Sequence, residues 1–102
     1  MRMWGVEPSK LCQKHLLGEH CEIHMFTGTI NKGISIAGYI SKGLVNPALI
    51  QVRHDQLAEE IQKRGYNHHS PLSIDCSDLP ELPVDIIGNE LELKRRCREC
   101  QI

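Results

Sequence analysis

The sequence predicts an all-α fold, a compact single domain over residues 1–102 with about three main helices and an N-terminal arm packed against the first helix. A chain of 102 residues can enclose one hydrophobic core but is too short for two. Apolar residues recur at helical spacing in three segments that carry helix start and stop signals, and convincing strand alternation is almost absent. The 40% hydrophobic and 25% charged content is ordinary for a folded globular chain.

The first helix is predicted over residues 9–30. Pro8-Ser9 is typical of a helix start, and Asn31-Lys32-Gly33 is the first group of helix breakers that follows. At about 100° per residue, the apolar positions of this segment fall on one side of the helix. These core-facing positions are Cys12, Leu16, Ile23, Phe26 and Ile30. Trp4 and Val6 are expected to hold the N-terminal arm against this core.

The second helix is predicted over residues 47–64. Asn46 can cap the free amides at its start, and Pro47 occupies the first helical position, where a missing N–H costs nothing. Cations followed by Gly65 are suited to the C-terminal end of the helix. His54 lies on the apolar side of this helix and is expected to be a hydrogen-bonded core histidine.

A third helix is predicted from Val84-Asp85 to the basic run at residues 94–98. Residues 66–83 contain three prolines among Ser and Asp, which predicts an ordered surface loop. Residues 33–43 contain three glycines among isoleucines, and a loop, a short strand and a weak helix all remain open there.

The charge of the chain is nearly balanced, with 12 basic and 13 acidic residues, so no bulk positive field indicates nucleic acid. The distribution is more informative, because residues 1–70 carry a net charge of +2 and residues 71–102 a net charge of −3. A site for a polyanion is therefore expected in the first part of the chain. The N-terminus lacks the apolar core of a secretory signal, and no stretch reaches the roughly 20 apolar residues of a membrane span, which predicts a cytoplasmic protein with no membrane partner.

Five cysteines in a chain without an export signal favour free thiols over a disulfide framework. Cys97-x-x-Cys100 is half of a zinc site, and Cys21-x-x-His24 could supply the other half, which would make the chain a small zinc-binding module. An isolated pair of this spacing is common, so we expect reduced thiols at a solvated helix end, with no metal and no cofactor. His68-His69 could also ligate a metal, although such a pair is more often exposed.

Three polar residues lie along one side of the first helix. His15, Glu19 and Glu22 follow one another at spacings of four and three residues. Glu19 falls inside the apolar arc of the helix, where desolvation raises a carboxyl pKa unless a cation pairs with it. Such a stripe suits general acid or base catalysis. The alternative is that these groups pair with Lys or Arg and only anchor the arm or the 66–83 loop.

Residues 15–23, HLLGEHCEI, together with Arg2, Gly28 and residues 63–67, KRGYN, resemble the pyrimidine-dimer DNA glycosylases of the phage ultraviolet-repair type. The resemblance covers about residues 1–70. It implies a mostly helical domain that cuts the glycosidic bond of a damaged pyrimidine in double-stranded DNA and then breaks the strand by β-elimination. The resemblance also implies that the nucleophile is the α-amine of residue 1, which forms an imine, and that Glu22 assists. We expect a monomer.

The α-amine of Met1 is a chemically reasonable nucleophile. Arg2 is too large for the enzymes that trim initiator methionine, so Met1 should be retained. An α-amino group has a reference pKa of about 7.7–8.0 against about 10.4 for lysine, so far more of it is neutral near pH 7. Residues 1–8 can extend about 26 Å, and Glu22 lies roughly 20 Å along the helix, so the arm can reach it.

The resemblance assigns weaker roles in DNA binding to Arg2, Lys14, His15, Glu19 and Lys32. The family carries further arginines on the first helix. Two of those positions here read Cys21 and Met25, which should weaken phosphate binding and puts the preferred lesion in doubt. A DNA-binding protein with this fold but without catalytic activity is the third class that remains open.

Overall fold

Four α-helices carry the chain in the computed structural model, which describes residues 1–68 and 70–102. They are α1, Gln13–Asn31; α2, Ala37–Ser41; α3, Ile50–Lys63; and α4, Ile86–Arg96. The described residues contain no strand, and the predicted all-α fold is confirmed. His69, one of the two loop histidines singled out above, lies outside the described residues.

The chain enters α1 later than predicted. Residues Pro8–Lys10 form a separate 3₁₀ turn, and α1 begins only at Gln13. Between them Leu11 is extended, and its carbonyl accepts a hydrogen bond from Arg64 at 2.6 Å instead of from an amide of the same helix. Cys12 then caps α1, because its sulfur accepts from the backbone N–H of His15. A partner more than fifty residues away therefore sets this boundary.

The second predicted helix also begins late. Pro47–Leu49 is a 3₁₀ turn, and the α-helix begins at Ile50. The predicted cap is wrong, because the Asn46 side chain makes no capping hydrogen bond and its buried Oδ1 has no partner among the described residues. The open segment 33–43 contains the short helix α2.

The third predicted helix is α4, which begins at Ile86 and is capped by Asp85 through the N–H of Gly88. Residues 66–68 and 70–83 carry no helix or strand, in keeping with the predicted loop. No helix in the described part of the chain is both long enough and apolar enough to span a membrane.

The core lies where α1 packs against α3, and α4 and the N-terminal arm close it. Its fully buried side chains come from the arm and from α1, α3 and α4: Val6, Leu16, Ile23, Phe26, Ile50, Leu57, Ile61 and Leu93. Trp4 is only 4% exposed and Val6 only 2%, so the predicted packing of the arm through these two residues is confirmed. Burial of a large apolar side chain contributes about 1.5–3 kcal/mol, which is enough to hold a short arm in place.

Candidate active site

Residues 1–6 form an arm that is fixed along its length. The N–H of Met3 donates to the carbonyl of Leu44 at 2.6 Å. The Asn89 amide of α4 donates to the carbonyls of Met3 and Trp4, at 3.2 and 2.9 Å. Asn89 Oδ1 accepts in turn from Arg2 Nη1 at 3.0 Å. Asn89 therefore binds both the backbone and a side chain of the arm.

Arg2 is held from a second side as well. Its guanidinium lies 4.5 Å from the centroid of the Trp4 ring, within the range of a cation–π contact. The Trp4 and His15 rings form an edge-to-face contact, with their centroids 5.8 Å apart and their planes at 84°. The first residues of the arm thus rest on α1 as well as on α4.

The arm brings the start of the chain to Glu22. The backbone N–H of Arg2 lies 3.4 Å from Glu22 Oε2. Three backbone bonds separate this nitrogen from the α-amine of Met1, and bond lengths limit that separation to about 3.7 Å. The α-amine therefore lies within about 7 Å of the carboxylate by the same geometry.

Met1 and Glu22 line the same open cleft of about 440 Å³. The remaining residues of its lining are Arg2, Trp4, Lys14, His15, Gly18, Glu19, Tyr39, Leu44 and Arg96. Arg2, Lys14 and Arg96 give this cleft positive charge around the carboxylate of Glu22. A concave cationic site of this kind attracts a polyanion. The predicted site residues Met1, Arg2, Lys14, His15 and Glu22 are thus brought together.

The surroundings of His15 shift the pKa of its ring. Burial lowers its pKa from the ordinary value, and the charges of Lys14 and Arg96 lower it further. Its Nδ1 lies 3.1 Å from Cys12 Sγ and 3.5 Å from Cys100 Sγ, so this nitrogen is turned away from the cleft. Only the rest of the ring is available to a ligand in the cleft.

Glu19, to which the resemblance assigns a role in DNA binding, lines the cleft but is held inside the fold. Its side chain is buried at 1% exposure and forms a two-pronged ion pair with Arg53 of α3, at 2.5 and 2.9 Å. Burial raises the pKa of the Glu19 carboxyl, whereas Arg53 and the Trp4 amide oppose that shift. The alternative derived from the sequence, that a carboxylate of this stripe pairs with a cation and anchors the arm, holds for Glu19.

Three further positions, Lys32, Cys21 and Met25, do not line the cleft. Lys32 follows the last residue of α1 and is exposed, about 15 Å along the helix from Glu22. Cys21 and Met25, which stand where the family has arginines, are exposed and uncharged.

Three residues of the site were not recognised from the sequence. Arg53 and Asn89 are buried polar residues whose partners lie 34 and more than 80 positions away in the chain. Arg96 reaches the cleft from the end of α4. A polar residue on the apolar face of a helix is the only local signal of the first two. Nothing local distinguishes Arg96 from the basic residues around it.

Two groups of side chains in the described residues could hold a metal ion. Cys12, His15, Cys97 and Cys100 form one group, in which the candidate ligand atoms all lie within 4.8 Å of one another. This corrects the zinc alternative, which paired Cys97 and Cys100 with Cys21 and His24. Those two residues lie nine positions further along α1, about 14 Å away, and Cys21 is exposed.

The second group is His20, His54 and His68. His20 Nε2 lies 2.9 Å from His68 Nε2, and His54 Nε2 lies 3.0 Å from the carbonyl of Ser70. His24 Nε2 lies 3.0 Å from the same carbonyl. The prediction of a hydrogen-bonded core histidine at position 54 is confirmed, and His68 is half-buried in this cluster where exposure was expected.

A small helical domain with its first residue beside a glutamate in a cationic cleft has the design of an enzyme for a phosphate-bearing polymer. The family model of the pyrimidine dimer DNA glycosylases matches residues 1–74. The chain therefore belongs to this family of DNA repair glycosylases, and damaged DNA is its substrate. No curated protein and no solved structure matches the chain. Helix α4 and Cys97 and Cys100 lie beyond the matched residues.

Proposed function

We propose that this glycosylase uses the α-amine of Met1 as its nucleophile and the carboxylate of Glu22 as its general acid–base group, and that it is also an AP lyase. The observation that carries the proposal is the 3.4 Å contact between the Arg2 amide and Glu22, which ties the start of the chain to that carboxylate. The buried anchors of the arm support it, because they fix the start of the chain beside the carboxylate.

In the first half of the reaction the neutral amine attacks C1′ of the damaged nucleotide. The bond between C1′ and the pyrimidine nitrogen breaks, and the base leaves with that electron pair and takes up a proton. Loss of a proton from the attacking nitrogen and opening of the sugar ring, with a proton delivered to O4′, leave an iminium ion. Glu22 stabilises the positive charge that grows on the sugar and transfers these protons.

In the second half a base removes a proton from C2′, and the electrons expel the 3′ phosphate, which is β-elimination. Water then adds to the imine carbon. The adduct breaks down to an aldehyde on the sugar and the free amine of Met1, and one proton is released. Among the described residues two carboxylates line the cleft, and Glu19 is held by Arg53 in a buried ion pair whereas Glu22 is not. Glu22 is therefore the group proposed to act as the base.

Recognition of double-stranded damaged DNA is proposed to rest on Arg2, Lys14 and Arg96. These cations surround the cleft and can contact phosphates on either side of the nucleotide that reacts. Cys21 and Met25 are uncharged and make no such contacts, so binding of the duplex is proposed to rest on fewer phosphate contacts.

Borohydride reduction tests the proposal, because it converts an imine between protein and DNA into a stable covalent adduct. The protein is incubated with three duplexes, one carrying a cyclobutane pyrimidine dimer, one carrying an abasic site and one undamaged. We expect an adduct with the first two and none with the third. An adduct with the abasic duplex alone would leave the lyase step in place and remove the dimer as substrate for this chain.

The matched control is a cleavable N-terminal extension whose removal leaves Met1 as the first residue. The extended protein should form no adduct, and cleavage of the extension should restore it. The intact mass of the cleaved protein confirms that Met1 is present. An extended protein that forms the adduct on a lysine would contradict the role of Met1.

A further inference from the structure

Four side chains from opposite ends of the chain converge at the beginning of α1. Cys12 and His15 flank the first turn of that helix, and Cys97 and Cys100 follow the last residue of α4. Their candidate ligand atoms all lie within 4.8 Å of one another. We propose that these three cysteines and one histidine bind a single Zn²⁺ ion that fastens the C-terminal residues to the start of α1.

Two distances between the ligand atoms match those of a tetrahedral zinc site. Bonds of about 2.3 Å to sulfur and about 2.0 Å to nitrogen place two sulfurs about 3.8 Å apart and a sulfur and a nitrogen about 3.5 Å apart. Cys12 Sγ lies 3.7 Å from Cys97 Sγ, and Cys100 Sγ lies 3.5 Å from His15 Nδ1. The 3.1 Å between Cys12 Sγ and His15 Nδ1 is slightly short and needs a small opening.

Backbone amides point at the sulfurs, as the surroundings of a thiolate require. The N–H of Cys12 donates to Cys100 Sγ at 3.2 Å, and the N–H of His15 donates to Cys12 Sγ at 3.5 Å. Hydrogen bonds of this kind orient metal ligands and stabilise their negative charge. The two pairs also have the short spacings, Cys-x-x-His and Cys-x-x-Cys, that are typical of structural zinc sites.

The site is closed, which assigns the ion a structural role. Protein atoms supply all four positions of the tetrahedron, so none remains for a water molecule or a substrate. The ion would hold His15 against Trp4, and the hydrogen bond from Gln101 N–H to the Lys10 carbonyl at 2.7 Å already joins the same two segments. The zinc site therefore lies next to the arm but takes no part in the proposed chemistry.

The histidine group is the weaker candidate for a metal. Nδ1 and Nε2 of His54 both face oxygen acceptors, Asp55 and the Ser70 carbonyl, each at 3.0 Å. A metal at His54 would have to compete with both of these oxygens for the ring nitrogens. The cysteine-containing group has no such competing oxygen among the contacts of His15 Nδ1.

Metal analysis of the full chain, purified without added zinc, tests the proposal first. We expect one equivalent of zinc per chain, and X-ray absorption should show three sulfur neighbours at about 2.3 Å and one nitrogen neighbour at about 2.0 Å. Replacement of zinc by Co²⁺ should give the thiolate charge-transfer bands and strong visible bands of a tetrahedral site. A sphere of nitrogen and oxygen alone, or no bound metal, would overturn the proposal.

Variants then assign the ligands. Cys97→Ser and Cys100→Ser should each lower zinc content to a small fraction of the parent value, whereas Cys21→Ser and Cys76→Ser should retain the full equivalent. Full zinc content in Cys97→Ser and Cys100→Ser would overturn the assignment. So would a disulfide between Cys12 and Cys97 in protein isolated with its thiols blocked. Where the first two variants fail to fold, the Co²⁺ spectrum of the unaltered chain decides.

Discussion

The backbone amide of Arg2 lies 3.4 Å from a carboxylate oxygen of Glu22, although the two residues are 20 positions apart in the chain. This contact places the first residue beside the carboxylate in a cleft that also holds three cations. Removal of the charge on Glu22 is the simplest test of its chemical role. Glu22→Gln should lower the single-turnover rate of strand cleavage by about 10²–10⁴-fold, the usual contribution of a general acid–base group.

DNA affinity of Glu22→Gln should stay within a few-fold of the parent in a binding titration, because the carboxylate adds no attraction to a polyanion. Glu81→Gln, at an exposed position of the loop, is the matched control and should cut at the parental rate. Parental cleavage by Glu22→Gln would show that another group transfers the protons.

Asn89 should matter for both stability and activity. Asn89→Ala removes the donor to two arm carbonyls and the acceptor for Arg2, and each buried polar group left without a partner costs about 1–3 kcal/mol. We expect the free energy of unfolding in urea to fall by at least that amount, and the cleavage rate to fall more than DNA affinity does. Asn31→Ala, at the exposed end of α1, is the control. Equal unfolding midpoints for the two variants would contradict the role of Asn89 as the anchor of the arm.

The Glu19–Arg53 pair is expected to stabilise the fold. Arg53→Met leaves a buried carboxylate without its partner and should cost about 3–5 kcal/mol in the free energy of unfolding. The double variant Glu19→Leu with Arg53→Met should recover much of that loss, because no buried charge remains. A double variant less stable than Arg53→Met would contradict this, because it would mean that Glu19 stabilises the fold mainly through contacts other than Arg53, such as the Trp4 amide. Disruption of the exposed Glu92–Arg95 pair, as a comparison, should lower stability far less, because solvent screens an exposed ion pair.

The histidine cluster should make the fold sensitive to acid. Burial, together with the neighbouring His54, His24 and His68, lowers the pKa of His20 from 6.5 to about 4. Between these values the unfolded chain binds a proton at this position and the folded chain does not. The contribution of neutral His20 to stability is therefore complete above pH 6.5 and is lost as the pH falls toward about 4. Urea midpoints at pH 7 and pH 5 measure this, and His20→Gln should show a smaller difference than the parent. An equal difference in both proteins would contradict it.

The cations of the cleft should determine the salt dependence of DNA binding. Arg96→Gln should weaken binding to damaged and undamaged duplexes alike and lower the slope of log affinity against log salt by about one unit. Lys63→Gln, on α3 outside the cleft lining, is the control with the same change of charge. A slope unchanged in Arg96→Gln would show that this residue makes no phosphate contact.

Local patterns were sufficient to predict the helical segments, the buried arm and the stripe that carries Glu22. They failed where a distant partner decides the outcome. No local pattern predicts that Arg64 ends the turn before α1. Asn46 makes no cap, although its residue type and position predict one. The spacing along α1 places Glu19 on the polar stripe and allows a cationic partner, but it contains no information that this partner is Arg53 on another helix. The same limitation led to Cys21 and His24 being paired with Cys97 and Cys100.

The site of covalent attachment to DNA tests the central claim most directly. The adduct with abasic DNA, reduced with borohydride, is cleaved by a protease that cuts after aromatic residues, and the modified peptide is identified by mass spectrometry. Residues 1–4 end at Trp4 and contain no lysine, so modification of this peptide can only be at the α-amine. We predict the whole of the adduct on that peptide. An adduct on a peptide that contains Lys14 or Lys32, with residues 1–4 unmodified, would contradict the account.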